Sequence, residues 1–417
     1  VILATPKPAS PADHVPLWQP SATRDKIVVV SDLHLGIDDA FAEDVANRTH
    51  LVDFLRRLQQ TSDVRELVIN GDFLDDWYLP LTYAAYNDPR QFYAKVIANN
   101  QVVIDELNRL VASGIKFTYV PGNHDMLLES GVLAEAVPGT VEARDAAGLG
   151  LHRTGDRGEV VIEHGHRYDV FSAPDSVTNA ALAHQEATML PPGYFYARIA
   201  ASWILQGRPP IKKDYPEIAS APEKSDIDQY GAYVYYRVLS AEMNRITPFE
   251  RFEDHVFDLD FAGLHGSYSL QDFYPVAQPD GRISAPTLFV DIQRTWNQRQ
   301  EINKVQVSTS FIEAAAGALD IGYFAKQAIA QYLHNPAERV EVVVFGHTHI
   351  PDYRRLPDGS VYLNEGTWID HNVSYPAADR TFALITTGEH SSAAVYEYRA
   401  DGSISDITAS ITKDPPA

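Results

Sequence analysis

Five short stretches of this chain combine carboxylates, imidazoles and an amide at spacings suited to holding metal ions. They are Asp32-Leu33-His34, Asn70-Gly71-Asp72 with Asp75 and Asp76 just beyond, Gly122-Asn123-His124-Asp125, His164-Gly165-His166 and Gly346-His347-Thr348-His349. On extended backbone, residues two apart point to the same side, so Asp32 and His34 can grip one ion, and His347 with His349 repeats that spacing with two imidazoles. The candidate ligands Asp32, His34, Asp72, Asn123, His164, His347 and His349 outnumber what one tetrahedral ion uses. Two ions are therefore expected. Nitrogen and oxygen donors without sulfur suit Mn, Fe or Zn, and the imidazoles exclude a pure Ca²⁺ site. Two ions about 3.5–4 Å apart, bridged by one carboxylate and a hydroxide, can clamp the attacking and leaving oxygens of a phosphoryl displacement, the hydroxide being the nucleophile. Taken singly, Asp32 reads as a turn carboxylate and Asn123 as an Asx-turn residue. Taken jointly, seven polar groups aimed into one cleft would be costly to desolvate without an ion.

The elements that must position these groups are legible as β-branched runs directly ahead of them. Lys26 to Val30, Glu66 to Asn70, Lys116 to Val120, Glu159 to Glu163 and Val340 to Phe345 read as buried strands. Helical periodicity separates the early ones. Phe41 to Leu58 places Val45, Leu51, Val52, Leu55 and Leu58 on one side, and Val102 to Val111 behaves likewise. This βαβ alternation predicts a layered α/β core whose strand ends face one crevice, where open α/β sheets bind what they act on.

Roughly 170 residues separate the fourth strand from the fifth, too many for a plain connection, so a structured insertion is expected. Tyr194 to Leu205, Tyr230 to Met243 and Phe311 to Leu333 read as helical and aromatic-rich, with Pro209, Pro210 and Pro216 as breaks. Strand-like runs return at Val361 to Asn364, Thr381 to Thr387 and Ala394 to Arg399, predicting a closing mixed or antiparallel sheet. The expected division is an extended, Pro- and Ala-rich arm over 1–23, core over 24–166 and 336–417, and a mostly helical cap over 167–335.

Composition narrows the partners. Lys plus Arg number 34 against 56 Asp plus Glu, a net charge of -22 that repels long nucleic acids and leaves a small phosphorylated substrate as the expected partner. The absence of Cys removes disulfides, thiolate nucleophiles and iron-sulfur clusters, without selecting a compartment. No apolar run reaches the roughly 20 residues of a membrane span. The start, Val1-Ile2-Leu3-Ala4, has neither Met nor a charged leader, so a trimmed or cleaved N-terminus is expected, which leaves cytoplasmic and exported locations both open.

The ordered set of five blocks resembles the calcineurin-like metallophosphoesterase superfamily, over about 26 to 166 and 340 to 387. The resemblance implies a two-sheet sandwich flanked by helices, with the insertion as cap. It implies Asp32, His34 and His349 on one ion, Asn123, His164 and His347 on the other, and Asp72 between them. It also implies His124 as the acid that protonates the leaving oxygen or steadies the phosphoryl charge, oriented by Asp75. Gly71 to Trp77, Gly122 to Leu127 and Asn364 to Trp368 look most like the UDP-2,3-diacylglucosamine pyrophosphatase branch, which implies a nucleotide-sugar or lipid-linked diphosphate as an alternative substrate. That branch carries Arg where this chain has His124, and Arg clamps a diphosphate whereas His suits proton transfer. A catalytically inactive scaffold would show an eroded ligand set. Trp77, Trp368, Tyr194, Phe195, Tyr196 and Trp203 are expected mainly in the core, and Arg208, Lys212 and Lys213 on a solvated surface. His166 is balanced between substrate and metal shell, and His14, His50, His152, His184, His255, His265, His334, His371 and His390 are expected to be structural.

Overall fold

The computed structural model describes residues 21–83, 85–183, 190–208, 217–246, 255–261 and 263–416. Most of the expected arm, together with Pro209, Pro210, Lys212, Lys213, Pro216, His14 and His184, lies outside the described residues, as does the side chain of His255.

The chain opens with strand β1 (Lys26–Val30), helix α1 (Arg48–Gln59), β2 (Val64–Asn70), helices α2 (Pro89–Asn99) and α3 (Gln101–Ala112), β3 (Lys116–Val120), α4 (Val132–Ala136) and β4 (Val141–Glu142). Next come β5 (His152–Thr154) and β6 (Val160–Glu163). The long insertion follows: α5 (Pro192–Leu205), α6 (Ile227–Ile246), β7 (His255–Phe261), β8 (Leu264–Ser269), β9 (Val276–Ala277), β10 (Ile283–Ser284), α7 (Ile292–Ile302), α8 (Phe311–Gly317) and α9 (Ile321–Ala328), which runs on into a π-helical turn, Ile329–Leu333. The chain closes with β11 (Val342–Phe345), β12 (Asp352–Arg355), β13 (Val361–Asn364), β14 (Thr381–Thr386), β15 (Ser392–Tyr398), β16 (Ile404–Asp406) and α10 (Thr408–Ile411).

Two sheets carry the core. One has seven strands in the order β16-β15-β14-β1-β2-β3-β4, and the other has five in the order β12-β13-β11-β6-β5. In the first, β1, β2, β3 and β4 run parallel and β14 returns antiparallel to β1; in the second, β6, β11 and β13 run parallel. The period of two along each strand explains the layering. Val28 and Val30 pack with Leu51, Phe54 and Leu107 of α1 and α3, whereas Ile27 and Val29 pack with Val160, Ile162, Val342 and Val344 of the opposite sheet. On the far side, Val161, Val343 and Phe345 pack with insertion residues such as Phe324 and Tyr332. The order is therefore helices, sheet, sheet, helices, an α/β two-sheet sandwich. Parallel strands covered on both faces read as continuous apolar runs, which is why β1, β6 and β11 stand out in the sequence.

Several boundaries differ from expectation. Helix α1 begins at Arg48, and Val45 lies exposed outside it. The cause is remote: Asp370 accepts hydrogen bonds from the backbone N–H groups of Val45, Ala46 and Asn47, pinning that stretch as a loop. The run Phe311 to Leu333 breaks at Ala318–Asp320, where the Asp320 carboxylate caps α9 by accepting from Gly322 N. The insertion also contains two small two-stranded sheets besides its helices, and α9 packs against β11 and β13.

A buried carboxylate ties the sheets together. Glu66 of β2 accepts hydrogen bonds from His152 Nε2 and Thr154 Oγ1 of β5, both at 2.8 Å, and from Thr118 Oγ1 of β3 at 2.7 Å, with Lys116 Nζ at 2.9 Å. Burial alone would raise its pKa, but these partners outweigh it and bring the group down to about 2. Because the folded value lies below the unfolded one, the ionised form stabilises the fold above pH about 4.5, and the gain is lost as pH falls through about 2. Glu66→Gln should therefore cost about 3 kcal/mol at pH 7. Urea unfolding of both proteins should show the gap narrowing as pH is lowered from 7 to 3.

Candidate metal centre

The five loops that follow β1, β2, β3, β6 and β11 meet at one end of the sandwich. Backbone hydrogen bonds lock them together: Asp32 N donates to Gly71 O, Leu33 N and His34 N to Asp72 O, and Gly346 N to His164 O. Two glycines allow the close approach. At Gly71, with φ at +82°, a Cβ would overlap the His164 ring, and at Gly122 a Cβ would overlap the Asp72 carboxylate. Asp32, His34, Asp72, His347 and His349 all adopt left-handed backbone with φ between +45° and +71°, five of the eight non-glycine residues that do so among those described. Each such residue costs about 1–3 kcal/mol, which the surrounding hydrogen bonds must sustain.

Among the described residues four groups of donor atoms could hold a cation; two of them, His34-Asp72-His124 and His34-Glu43-Asp75, involve the candidate acid or its carboxylate partner, and the other two are made of expected ligands. Asp32, His34 and His349 form one: His349 Nε2 lies 3.1 Å from both Asp32 Oδ1 and His34 Nε2. Asp72, His164 and His347 form the second, with His164 Nε2 3.1 Å from Asp72 Oδ2. The same Oδ2 is 3.8 Å from His34 Nε2, so Asp72 stands within reach of both groups. Asn123, next to Gly122, lines the same cavity with His347 and Asp72. Asp32, Asp72 and Asn123 are at most 2% exposed and His164 is fully buried. Yet Asp32 Oδ1, Asn123 Oδ1 and His164 Nε2 make no hydrogen bond. Orphaned buried donor and acceptor atoms aimed at a common point are the expected signature of ligands built for cations, and this chemistry fits two ions. Burial opposes ionisation of Asp32, but His164, His349 and His34 outweigh it and hold its carboxyl well below the usual range; His164 and His124 do the same for Asp72.

Outer partners fix the ligands. His164 Nδ1 donates to Asn70 O at 2.7 Å, leaving Nε2 for an ion. Asp75 Oδ2 is 2.8 Å from His34 Nδ1 and 3.0 Å from His124 Nδ1, while its Oδ1 accepts from Trp77 N and Tyr78 N. One carboxylate thus orients a candidate ligand and a candidate acid together. Burial works against the His124 cation, but Asp75 and Asp72 outweigh it and raise the imidazole pKa. The backbone N–H of His124 donates to Asp72 Oδ1 at 2.8 Å, and Trp77 stacks on its ring at 4.6 Å. Asp125 spans two loops, accepting from Gly122 N at 2.6 Å and Phe73 N at 2.8 Å. The Asn364 to Trp368 segment braces the floor: Thr367 Oγ1 and Trp368 N donate to Asp32 O, and Asn364 Nδ2 donates to Gly346 O.

Residues 25–197 match the model of the calcineurin-like phosphoesterase family. The chain carries a calcineurin-like phosphoesterase domain. Together with its candidate metal-binding groups, this makes it a metal-dependent phosphoesterase. Asp32, His34, Asp72, Asn123 and His164 lie within the matched span; His347 and His349 lie beyond it and reach the phosphoesterase centre through β11. Among solved structures, a dimetal phosphatase from Danio rerio is similar at 12% identity, with a TM-score of 0.37, over 92% of this chain and 99% of that one. No curated protein matches. No described helix of the phosphoesterase is long and apolar enough to cross a membrane.

Some cavity residues escaped the sequence. Glu43, 3.5 Å from His34 Nδ1, and Asp169, 3.5 Å from His347 Nε2, line the cavity without any motif around them. His371, expected to be structural, lines it too. Trp77 and Tyr196 are buried as expected of core residues, yet also form its wall, and Trp368 is fully buried. Tyr194 and Phe195 are buried, whereas Trp203 is half-buried beneath Arg208. Both ring nitrogens of His166 are buried without a hydrogen bond.

Proposed function

We propose that this phosphoesterase hydrolyses phosphate mono- or diesters at a two-metal centre. Asp32, His34 and His349 would hold one ion, Asn123, His164 and His347 the other, and Asp72 would bridge them. The observation carrying the reading is the convergence of two separate donor groups on Asp72. When bound, two such ions would activate water at neutral pH and draw charge from the phosphoryl oxygens. His124, oriented by Asp75 Oδ2, delivers a proton from Nε2 to the departing alcohol oxygen. Asp75 and Asp72 favour the protonated form of the imidazole that this role requires. The segment 167–335 serves as a cap that selects substrate, set on a core of 24–166 and 336–417.

A nucleotide-sugar or lipid-linked diphosphate is less well supported, because His stands at position 124 where a diphosphate clamp would call for Arg. An inactive scaffold has no support in a ligand set with all seven expected residue types present. Long nucleic acids are disfavoured by the net charge of -22.

Chelation should abolish hydrolysis of bis-p-nitrophenyl phosphate and p-nitrophenyl phosphate, and Mn²⁺ or Zn²⁺ should restore it. Activity indifferent to chelator would refute the reading, and the ratio of the two substrates assigns the bond class.

A further inference from the structure

To deliver a proton, His124 needs its Nε2 aimed at one point, and its side-chain hydrogen bond alone does not secure that. Nδ1 lies 3.0 Å from Asp75 Oδ2, which fixes one ring atom and leaves the plane of the imidazole free to swing about that contact. Two neighbouring rings remove the freedom. His34 meets the imidazole edge-on, with centroids 4.5 Å apart and planes at 88°, and Trp77 lies against its face, with centroids 4.6 Å apart and planes at 24°. The part of the His124 side chain left open, 17% of it, borders the cavity.

Trp77 is itself held from two sides. Its backbone N–H donates to Asp75 Oδ1, so the carboxylate that meets His124 also places the indole. The six-membered ring of the indole rests on the insertion: a Cβ at Gly193, in the first turn of α5, would lie 2.8 Å from Trp77 Cζ3 and 2.7 Å from Phe171 O, so the two elements meet this closely only through a glycine. Tyr194 adds an edge-on contact to the indole at 6.0 Å. The indole N–H is buried without a hydrogen bond among the described residues, so hydrogen bonding does not explain Trp in place of Phe at this position. What the indole supplies is the broadest aromatic face, which suits a stacked imidazole and above all its cation.

We propose that Trp77 is a positioning residue for proton delivery: its indole, seated against Gly193 of the insertion, holds the His124 ring so that Nε2 points at the departing oxygen. The inference rests on the reading of His124 as the acid. Misdirection of a proton donor by a fraction of an ångström slows only the step that needs the proton, so the loss should follow the leaving group.

The test compares ethyl and p-nitrophenyl esters of the bond class the enzyme prefers, in wild type, Trp77→Leu, Trp77→Phe, His124→Ala and the Trp77→Leu, His124→Ala double variant, with metal content and thermal unfolding of each. Trp77→Leu should keep the metal content of wild type and lose at least about tenfold more kcat/KM on the ethyl ester than on the p-nitrophenyl ester, a part of the about hundredfold to ten-thousandfold that a lost general acid costs. Trp77→Phe, with a smaller face, should fall between Trp77→Leu and wild type. With His124 already replaced, Trp77→Leu should change both esters alike, because no acid is left to position. Equal losses on the two esters in the Trp77 variants, or a leaving-group dependence of Trp77→Leu that persists without His124, would overturn the inference. Equal losses on the two esters in His124→Ala would refute the acid reading itself, and the inference with it.

Discussion

Asp72→Ala is expected to lower kcat/KM by at least about a thousandfold on any phosphoester, because it removes the carboxylate placed between both donor groups. Its Oδ2 lies 3.1 Å from His164 Nε2 and 3.8 Å from His34 Nε2, and its Oδ1 accepts the His124 N–H. On the proposed two-metal reading, emptying this position should deprive each ion of a ligand and release the loop carrying the candidate acid. Metal content should fall below two per chain. Asp72→Asn separates charge from packing, since an amide oxygen can still accept from His124 N. Its activity should be almost as low, with thermal unfolding close to wild type. His349→Ala should also abolish turnover, by depleting the group built on Asp32 and His34. Metal analysis beside steady-state kinetics checks all three.

His124→Ala should behave differently. It should retain two ions and lose about a hundredfold to ten-thousandfold in rate, the range of a lost general acid. The loss should be largest for alkyl esters, whose departing oxygen needs the proton, and small for p-nitrophenyl esters, whose phenolate leaves unaided. A uniform loss across leaving groups would instead assign His124 to phosphoryl charge stabilisation. Asp75→Asn should affect both functions, since the same Oδ2 meets His34 and His124. Reduced metal affinity accompanied by a leaving-group dependence is its expected mark.

What the sequence reveals about this fold follows physical lines. Strands β1, β3 and β13 match their expected bounds because parallel or central strands covered on both faces need unbroken apolar residues, a local signal. The candidate ligands are legible for a related reason: each lies within a few residues of such a strand's end, and Gly71 and Gly122 mark where the backbone must approach another loop. The start of α1 is not local at all, since it depends on Asp370, more than 300 residues away. Glu43 and Asp169 have no distinguishing neighbours and acquire meaning only when folding brings them to His34 and His347. The small sheets of the insertion are similarly hidden, because two-stranded pairs leave little hydrophobic periodicity to read.

The most direct test of a dinuclear centre is anomalous X-ray scattering from crystals of the Mn²⁺-reconstituted protein, with metal analysis of the same sample. The account predicts two peaks, about 3.5–4 Å apart, one among Asp32, His34 and His349, the other among Asn123, His164 and His347, with Asp72 between them. A single peak, or peaks away from these side chains in metal-replete protein, would contradict it.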